Sequence, residues 1–260
     1  MTVLGKIEKI WRYPVKGMQG EEVCEVFTGF GGVMGDRVYG VISETGEKGV
    51  PWFTARDDED FMLYRPSFKS DNNRLPGDLA EFESITPGIH PLYPEPNQFA
   101  VNVESPEGEV FDIDSPAFSE HMSTRFEVGL RAHLSAQKSQ VDCRPLSLIS
   151  QQTCDQLSSE LDMNIDYRRF RPNFLINWIS EEGYYENSLI GKRLKIGERC
   201  EITFLERDPR CKMITLDPDT GDSTPKILKH VTLTHEGYAG VYGAVLVEGA
   251  VKEGDEIRLL

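Results

Sequence analysis

No stretch of this chain approaches the roughly 20 consecutive apolar residues that cross a bilayer, and its start, MTVLGKIEKIWRYPVKG, carries charges where a signal peptide needs an apolar core. A cytoplasmic protein without a membrane span is expected. Positive charge is scarce: 28 Lys and Arg face 43 Asp and Glu, for a net charge of -15. Such a field repels a polyphosphate backbone instead of releasing its counterions, so nucleic acid is not an expected partner. Cysteine is scarce too. The five, at 24, 143, 154, 200 and 211, are odd in number and lack CxxC spacing or Cys/His clusters. A disulfide framework, structural zinc and iron-sulfur clusters therefore have no support. GxGxxG between a strand and a helix, the P-loop and GxSxG are all missing, as are internal repeats and low-complexity segments.

What is there suits a packed fold. With 260 residues, 39% hydrophobic and 27% charged, the chain can bury one large β core or two modest ones without staples. Strands are read at Val3 to Val15, Glu22 to Phe27, Arg37 to Ser43, Phe99 to Val103 and Val110 to Ile113, separated by Gly, Pro, Asn and Asp clusters. The stretch from Pro66 to Pro96, rich in turn formers, reads as a long loop and a possible lid. A short helix follows Ser115, with Pro116 at its first position. Ser150 then caps a helix over Gln151 to Leu161, where Cys154, Leu157 and Leu161 recur at helical spacing. Strands at Phe174 to Trp178, Arg193 to Ile196, Glu201 to Leu205, Val241 to Glu248 and Glu256 to Leu260 complete the second half, with a short helix at Pro225 to His230. Strand-turn-strand spacing favours a barrel or sandwich over βαβ units. The fold class is mostly β with α+β character.

In so acidic a chain the informative residues are the basic islands. YRRFRPN holds Arg168, Arg169 and Arg171; ERDPRCK holds Arg207, Arg210 and Lys212; RYPVKGM holds Arg12 and Lys16; GDRVYG and FTARDD hold Arg37 and Arg56. Brought together, they could clamp a phosphate or polar heterocycle through charge-assisted hydrogen bonds. The competing reading pairs each with a neighbouring carboxylate: Asp36, Asp57, Asp166 or Asp208. Cys211, between Arg210 and Lys212, is the thiol whose surroundings most favour a thiolate nucleophile or soft-metal ligand, with core packing as its alternative. Cys24, Cys154 and Cys200 read as small buried hydrophobes. The DPDTG after Cys211 reads as a turn. His90, His121, His133, His230 and His235 are available as bases, and spacing selects none of them.

In order along the chain, WRYPVKGMQG, GDRVYGVI, FTARDD, PLSLIS, RRFRPNFLI, IGKRLKIG, DPRCKMITLDPDTG and GVYGAVLVEGAVKEGDEIRL resemble the MOSC proteins, and more narrowly their amidoxime-reducing branch. The resemblance spans nearly the whole chain. It implies an N-terminal MOSC-associated β-barrel domain at 1-125, a MOSC β-barrel domain at 126-260, and a molybdenum cofactor (Mo-molybdopterin) held between them. Cys211 would ligate the metal and act at the catalytic centre. Lys16 and Arg37 would bind the pterin phosphate end, Arg171 is a further cofactor contact, and Arg56, Ser150, Asn173 and Arg210 are carried over with them. Gly17 stands where the family often has serine, so a backbone N-H or water would replace a hydroxyl contact.

The activity implied is reduction of small N-hydroxylated compounds such as hydroxylamines and amidoximes. Because the chain begins at the first barrel strand and ends with the MOSC domain, electrons are expected from a separate donor of ferredoxin, flavodoxin or cytochrome type with its reductase. Two other readings stand beside this one: a carrier of molybdenum cofactor or sulfur working through Cys211, and a binding module in which Cys211 is packed core.

Overall fold

The computed structural model describes residues 2-47, 50-71, 73-84, 91, 95-135, 140-141 and 143-260. Seven strands close on themselves in the order Phe174–Trp178, Leu146–Ser150, Tyr238–Val247, Cys200–Pro209, Arg193–Ile196, Glu256–Leu259 and Thr2–Arg12, which pairs back to Phe174–Trp178. All neighbours are antiparallel except Leu146–Ser150 with Phe174–Trp178. That parallel pair needs a crossover, and the Gln151–Leu161 helix supplies it. The barrel interior is filled by side chains such as Ile7, Ile10, Leu148, Phe174, Ile202, Phe204, Val241 and Ile257, all fully buried. Ladder closure leaves no free barrel edge for another chain to pair with.

Thr2–Arg12 comes from the opposite end of the sequence, and its Thr2 pairs with Leu259. The halves are interwoven again at Leu130–Leu134, which pairs with Tyr39–Glu47, and at Gly249–Lys252, which pairs with Glu25–Gly29. These strands belong to three small three-stranded sheets; the third joins Arg65–Phe68, Val101–Glu104 and Val110–Asp112. One continuous core runs from Ile7 through Val41, Phe61, Val101 and Phe118 to Ile202. A second, smaller cluster lies under the Gln151–Leu161 and Lys226–Thr234 helices.

Both helix starts read from Ser-Pro and Ser-Gln are present. Ser115 accepts from the Phe118 N-H ahead of the Pro116–Arg125 helix, and Ser150 accepts from the Thr153 N-H. The described parts of the Pro66 to Pro96 segment hold regular elements that a plain loop would lack. Arg65–Phe68 is a strand, because Pro66 sits where the ladder to Val103 tolerates a missing N-H, and Leu79–Glu83 is a short helix seating Phe82 on Phe27. Residues 85-90 and 92-94, on which the lid idea partly rests, and His90 lie outside the described residues. Cys154 and Cys200 are buried, as their neighbours suggest; Cys24 is exposed, in the bend that separates two short strands.

Candidate functional site

One cavity of about 300 Å³ opens where the barrel meets the side sheets. Among the described residues it is lined by seven cationic side chains, Lys16, Arg37, Arg56, Arg144, Arg169, Arg171 and Arg210, and by a single carboxyl, Asp208. Gly17, Asn173 and Cys211 line it as well. Eight of the nine residues named from the sequence are thus together, although they come from positions 16 to 211. In a chain of net charge -15 this is a positive island, and an enclosed one focuses field on an anion.

The ring of Tyr13 organises two of these cations. The Arg37 guanidinium lies 4.6 Å from its centroid and that of Arg171 4.1 Å, a stacked arrangement favoured for guanidinium on an aromatic face. Burial pushes the Tyr13 hydroxyl up from its ordinary value, against the pull of Arg171 and Arg37, so the ring stays neutral. Both arginines have left-handed backbones, with φ of 48° and 52°. Non-glycine residues rarely adopt that region, and such strain concentrates where geometry serves a site. Arg37 donates to the Arg171 carbonyl at 3.1 Å, Arg171 donates to the Met18 carbonyl at 2.7 Å, and Lys16, 5% exposed, donates to the Gln140 carbonyl at 2.8 Å.

Gly17 has φ of 88°, and a Cβ there would lie 3.0 Å from Phe61 and 3.1 Å from Thr54. Glycine is therefore the residue this turn accepts without strain. Arg210 donates to the carbonyls of Ala239 and Phe170 at 2.6 and 3.0 Å, and its Nη2 lies 2.8 Å from Asp208 Oδ2. Their approach is an ion pair by distance, but the buried Nη2 makes no hydrogen bond among the described residues, and neither does the buried Nε of Arg169. Asp208 accepts from Ser147 at 2.8 Å and from the Tyr242 hydroxyl. Burial raises its carboxyl above the usual range, a shift that Arg210, Ser147 and Tyr242 oppose without cancelling.

Cys211 is exposed on the cavity's rim, just past the Cys200–Pro209 strand and ahead of a short 3-10 turn, Lys212–Thr215. The turn after it is built as its residues suggest: Asp217 Oδ1 accepts from the N-H groups of Asp219 and Thr220 at 3.0 and 3.2 Å, and Gly221 has φ of 76°. Arg168 bridges Asp166 and Asp219, each at 2.6 Å. Arg169 reaches the Asp217 carboxylate at 2.7 Å and the Thr215 carbonyl at 3.0 Å. In RRFRPN, then, Arg168 and Arg169 anchor the turn that follows Cys211, while the left-handed Arg171 reaches toward Tyr13.

Pairing with neighbouring carboxylates also holds for several arginines. Arg37 meets Asp36, Arg168 meets Asp166 and Arg210 meets Asp208; Asp57 instead turns back to Thr54. Ser150 does not line the cavity. Its hydroxyl donates to the wholly buried Glu186 at 2.8 Å. Side chains alternate along a strand, so in Leu146–Ser150 the site faces Ser147, and Ser150, three residues on, faces away. Ser147, Arg144, Asp208 and Tyr242 were missed as site residues, and for Ser147 that strand parity was the available signal. No histidine is among the described residues that line the cavity. His121 bonds Tyr64, and His230 and His235 bond Glu160, so a Cys-His pair with any of these three has no geometric support.

The MOSC domain model matches residues 132–258, and the MOSC N-terminal beta barrel domain model matches residues 4–86. The chain is similar to mitochondrial amidoxime reducing component 2 of Rattus norvegicus, 26% identical over an alignment of 249 positions that covers 84% of this chain and 68% of that protein. It is similar to mitochondrial amidoxime-reducing component 1 of Mus musculus, 26% identical over 99% of this chain and 83% of that protein. A 101-residue stretch, 38% of this chain and 14% of that protein, is 31% identical to a molybdenum cofactor sulfurase of Caenorhabditis briggsae. Among solved structures, the YUAD protein from Bacillus subtilis aligns over 98% of this chain and 94% of that one, with 13% identity and a TM-score of 0.48. No helix among the described residues is long and apolar enough to cross a membrane. The chain belongs to the MOSC-domain proteins that carry the MOSC N-terminal beta barrel domain.

Proposed function

We propose that this chain is a molybdenum-cofactor-dependent oxidoreductase that reduces hydroxylamines, amidoximes and related N-hydroxylated compounds with electrons from a separate donor protein. The observation that carries the reading is the donor set of one cavity, in which seven cations and two thiols, Cys143 and Cys211, surround a single described carboxyl. It fits the group. One buried guanidinium N-H, Arg169 Nε, makes no hydrogen bond among the described residues, and a phosphate or pterin oxygen would supply an acceptor; forked, charge-assisted contacts suit such oxygens. A thiolate suits a soft metal. The likeness to amidoxime reducing components supports this role at the level of the family.

In this reading Lys16, Arg37 and Arg171 hold the phosphate end, with Arg56, Asn173, Arg210 and the Gly17 backbone shaping the rest of the cradle, and Cys211 ligates the metal. The cofactor, when bound, supplies the two-electron redox chemistry. Cleaving an N-O bond consumes two electrons and two protons and releases water. Asp208, whose carboxyl is raised by burial, is suited to hold a proton that Tyr242 and Ser147 pass along. The halves 1-125 and 126-260 exchange strands and both line this cavity, and the chain works in the cytoplasm beside a ferredoxin-, flavodoxin- or cytochrome-type donor. The test is elemental analysis and turnover of N-hydroxy compounds with protein from a cofactor-competent host. Molybdenum should be present, and a Cys211→Ala variant should stay folded yet lose metal or turnover. Protein without molybdenum, or a variant with full metal and full turnover, overturns the reading.

The stretch shared with a molybdenum cofactor sulfurase favours a second reading, a carrier of cofactor or sulfur through Cys211. A persulfide on Cys211 together with no turnover of N-hydroxy compounds would select it.

A further inference from the structure

Away from the cavity, two helices end side by side. Glu160 lies in the last turn of Gln151–Leu161, His230 lies in Lys226–Thr234, and His235 caps that second helix. One carboxylate oxygen, Glu160 Oε2, sits 2.6 Å from His230 Nε2 and 2.7 Å from His235 Nε2. The three potential ligand atoms all lie within 4.8 Å of one another. The two histidines are five residues apart, one more than a helical face allows. They meet because His235 leaves helical geometry, with φ of -124° and ψ of 24°, and is followed by left-handed Glu236 and Gly237.

Neighbours hold the ligands in place. Gln156, one turn before Glu160, donates to the other carboxylate oxygen at 2.7 Å. Tyr184 stacks on the His235 ring at 4.3 Å with an interplanar angle of 22°. Tyr184 does so from a left-handed backbone, φ 62°, pinned by its N-H on Thr153 Oγ1 at 2.8 Å. A surface ion pair needs no such support, whereas metal ligands are usually oriented by a second layer of contacts.

We propose that Glu160, His230 and His235 form a binding site for a first-row divalent cation, Zn2+ by preference, with water in the open position. Two imidazole nitrogens and one carboxylate oxygen are a borderline donor set that zinc favours. Zinc-ligand bonds of about 2.0–2.1 Å in a tetrahedron put ligand atoms about 3.3 Å apart, so the two Glu160 contacts need open by about 0.6–0.7 Å. The cation replaces the two Nε2 hydrogens, each imidazole carrying its proton on Nδ1 instead. The clip would join two helices whose Leu157, Ile227 and Val231 pack with Ile214 and Phe170, and those two line the cavity. Occupancy would thus stiffen the layer behind the cavity from a distance.

The test uses chelator-stripped full chain titrated with Co2+ and then Zn2+. One Co2+ per chain is expected, with the visible bands of nitrogen and oxygen coordination, no sulfur charge-transfer band, and displacement by Zn2+. Zn2+ should also raise the melting temperature of the wild type. A His230→Gln/His235→Gln double variant, checked for folding by circular dichroism, should lose both effects. Glu160→Gln, which keeps a polar side chain of the same length, should do the same and covers a failure of the double variant to fold. Gln156→Ala should weaken binding roughly tenfold, and Cys211→Ser should leave the cobalt spectrum and the effect of Zn2+ on melting as they are in the wild type. The proposal is overturned if the double variant or Glu160→Gln binds as tightly as wild type, or if Cys211→Ser abolishes the cobalt spectrum. Neither molybdenum nor turnover enters the readout, so failure here and failure of the oxidoreductase reading are separate results.

Discussion

Around the cavity, cationic side chains lean on backbone carbonyls; on the outer faces they pair with carboxylates. Lys16, Arg171 and Arg210 donate to the carbonyls of Gln140, Met18, Ala239 and Phe170 at 2.6–3.0 Å. Arg168, Arg193 and Arg207 instead meet Asp166 and Asp219, Glu201, and Glu236. A carbonyl fixes the direction of a guanidinium and leaves its charge to act on a ligand, whereas a carboxylate cancels it. The division is not absolute, since Arg37, Arg144, Arg169 and Arg210 also meet Asp36, Glu206, Asp217 and Asp208. Asp36 and Asp208 are buried at 1% exposure, so those two belong to the scaffold that positions the arginines. One residue type thus does two jobs, and the partner, not the sequence neighbour, separates them.

The sharpest way to break this contrast is Arg210→Met. It strands the buried Asp208 and removes two carbonyl contacts, and losing one partner of a buried pair costs about 3–5 kcal/mol. Because burial already raises the Asp208 carboxyl, protonation will soften the loss toward about 3 kcal/mol. Urea unfolding that shows less than about 1 kcal/mol would put Arg210 with the surface cations. Arg171→Met should act differently, on ligand more than on fold. Losing charge-assisted hydrogen bonds worth about 1.5–3 kcal/mol weakens cofactor retention by roughly 10- to 100-fold, read as molybdenum per chain after dialysis. Equal retention in variant and wild type would remove Arg171 from the site. Gly17→Ala should cost about 1–2 kcal/mol, from a φ of 88° and contacts of 3.0–3.1 Å. A neutral result would mean that the turn relaxes.

Much of the fold is readable before any coordinates. The Gln151–Leu161 helix announces itself through its Ser150 cap and the spacing of Cys154, Leu157 and Leu161, and the barrel strands through alternation and turn residues. Closure is not readable, because nothing local says that Thr2 will pair with Leu259. The cavity is half readable. Basic islands and a thiol stand out against acidic surroundings, but chemistry alone cannot tell Arg171, which reaches the cavity, from Arg168, which bolts the DPDTG turn. That difference lies in the left-handed backbone of Arg171, and no residue type dictates it. Ser150 shows the opposite failure: the motif is recognised, and strand parity turns its hydroxyl away. Glu160, His230 and His235 escape notice because a helix end and a cap, 70 residues apart in sequence, bring them together.

Arg168 tests the neutralised class through pH. Its bridge lowers the Asp219 carboxyl from 3.8, first through the hydrogen bond from Arg168 and then through its charge, with burial opposing. A depressed carboxyl contributes stability that is present above its unfolded value and lost as pH falls through the folded one. The stability gap between wild type and Arg168→Gln should therefore be steady at pH 6 and narrow below about pH 4. A gap that widens on acidification would assign Arg168 some other role.

The smallest effect is expected at Arg193, whose side chain is 57% exposed beside Glu201 on neighbouring barrel strands. Exposed pairs of this kind are worth about 0.2–1 kcal/mol and are screened by salt. Arg193→Ala should shift the urea midpoint barely, and less still in high salt, while leaving molybdenum content and turnover as they are. This control gives the cavity variants their meaning, because it removes the same charge from the same barrel without touching a carbonyl-held guanidinium. If Arg193→Ala lowered cofactor retention as far as Arg171→Met does, net positive charge anywhere on the barrel would explain the binding, and the contrast between the two classes of partner would collapse.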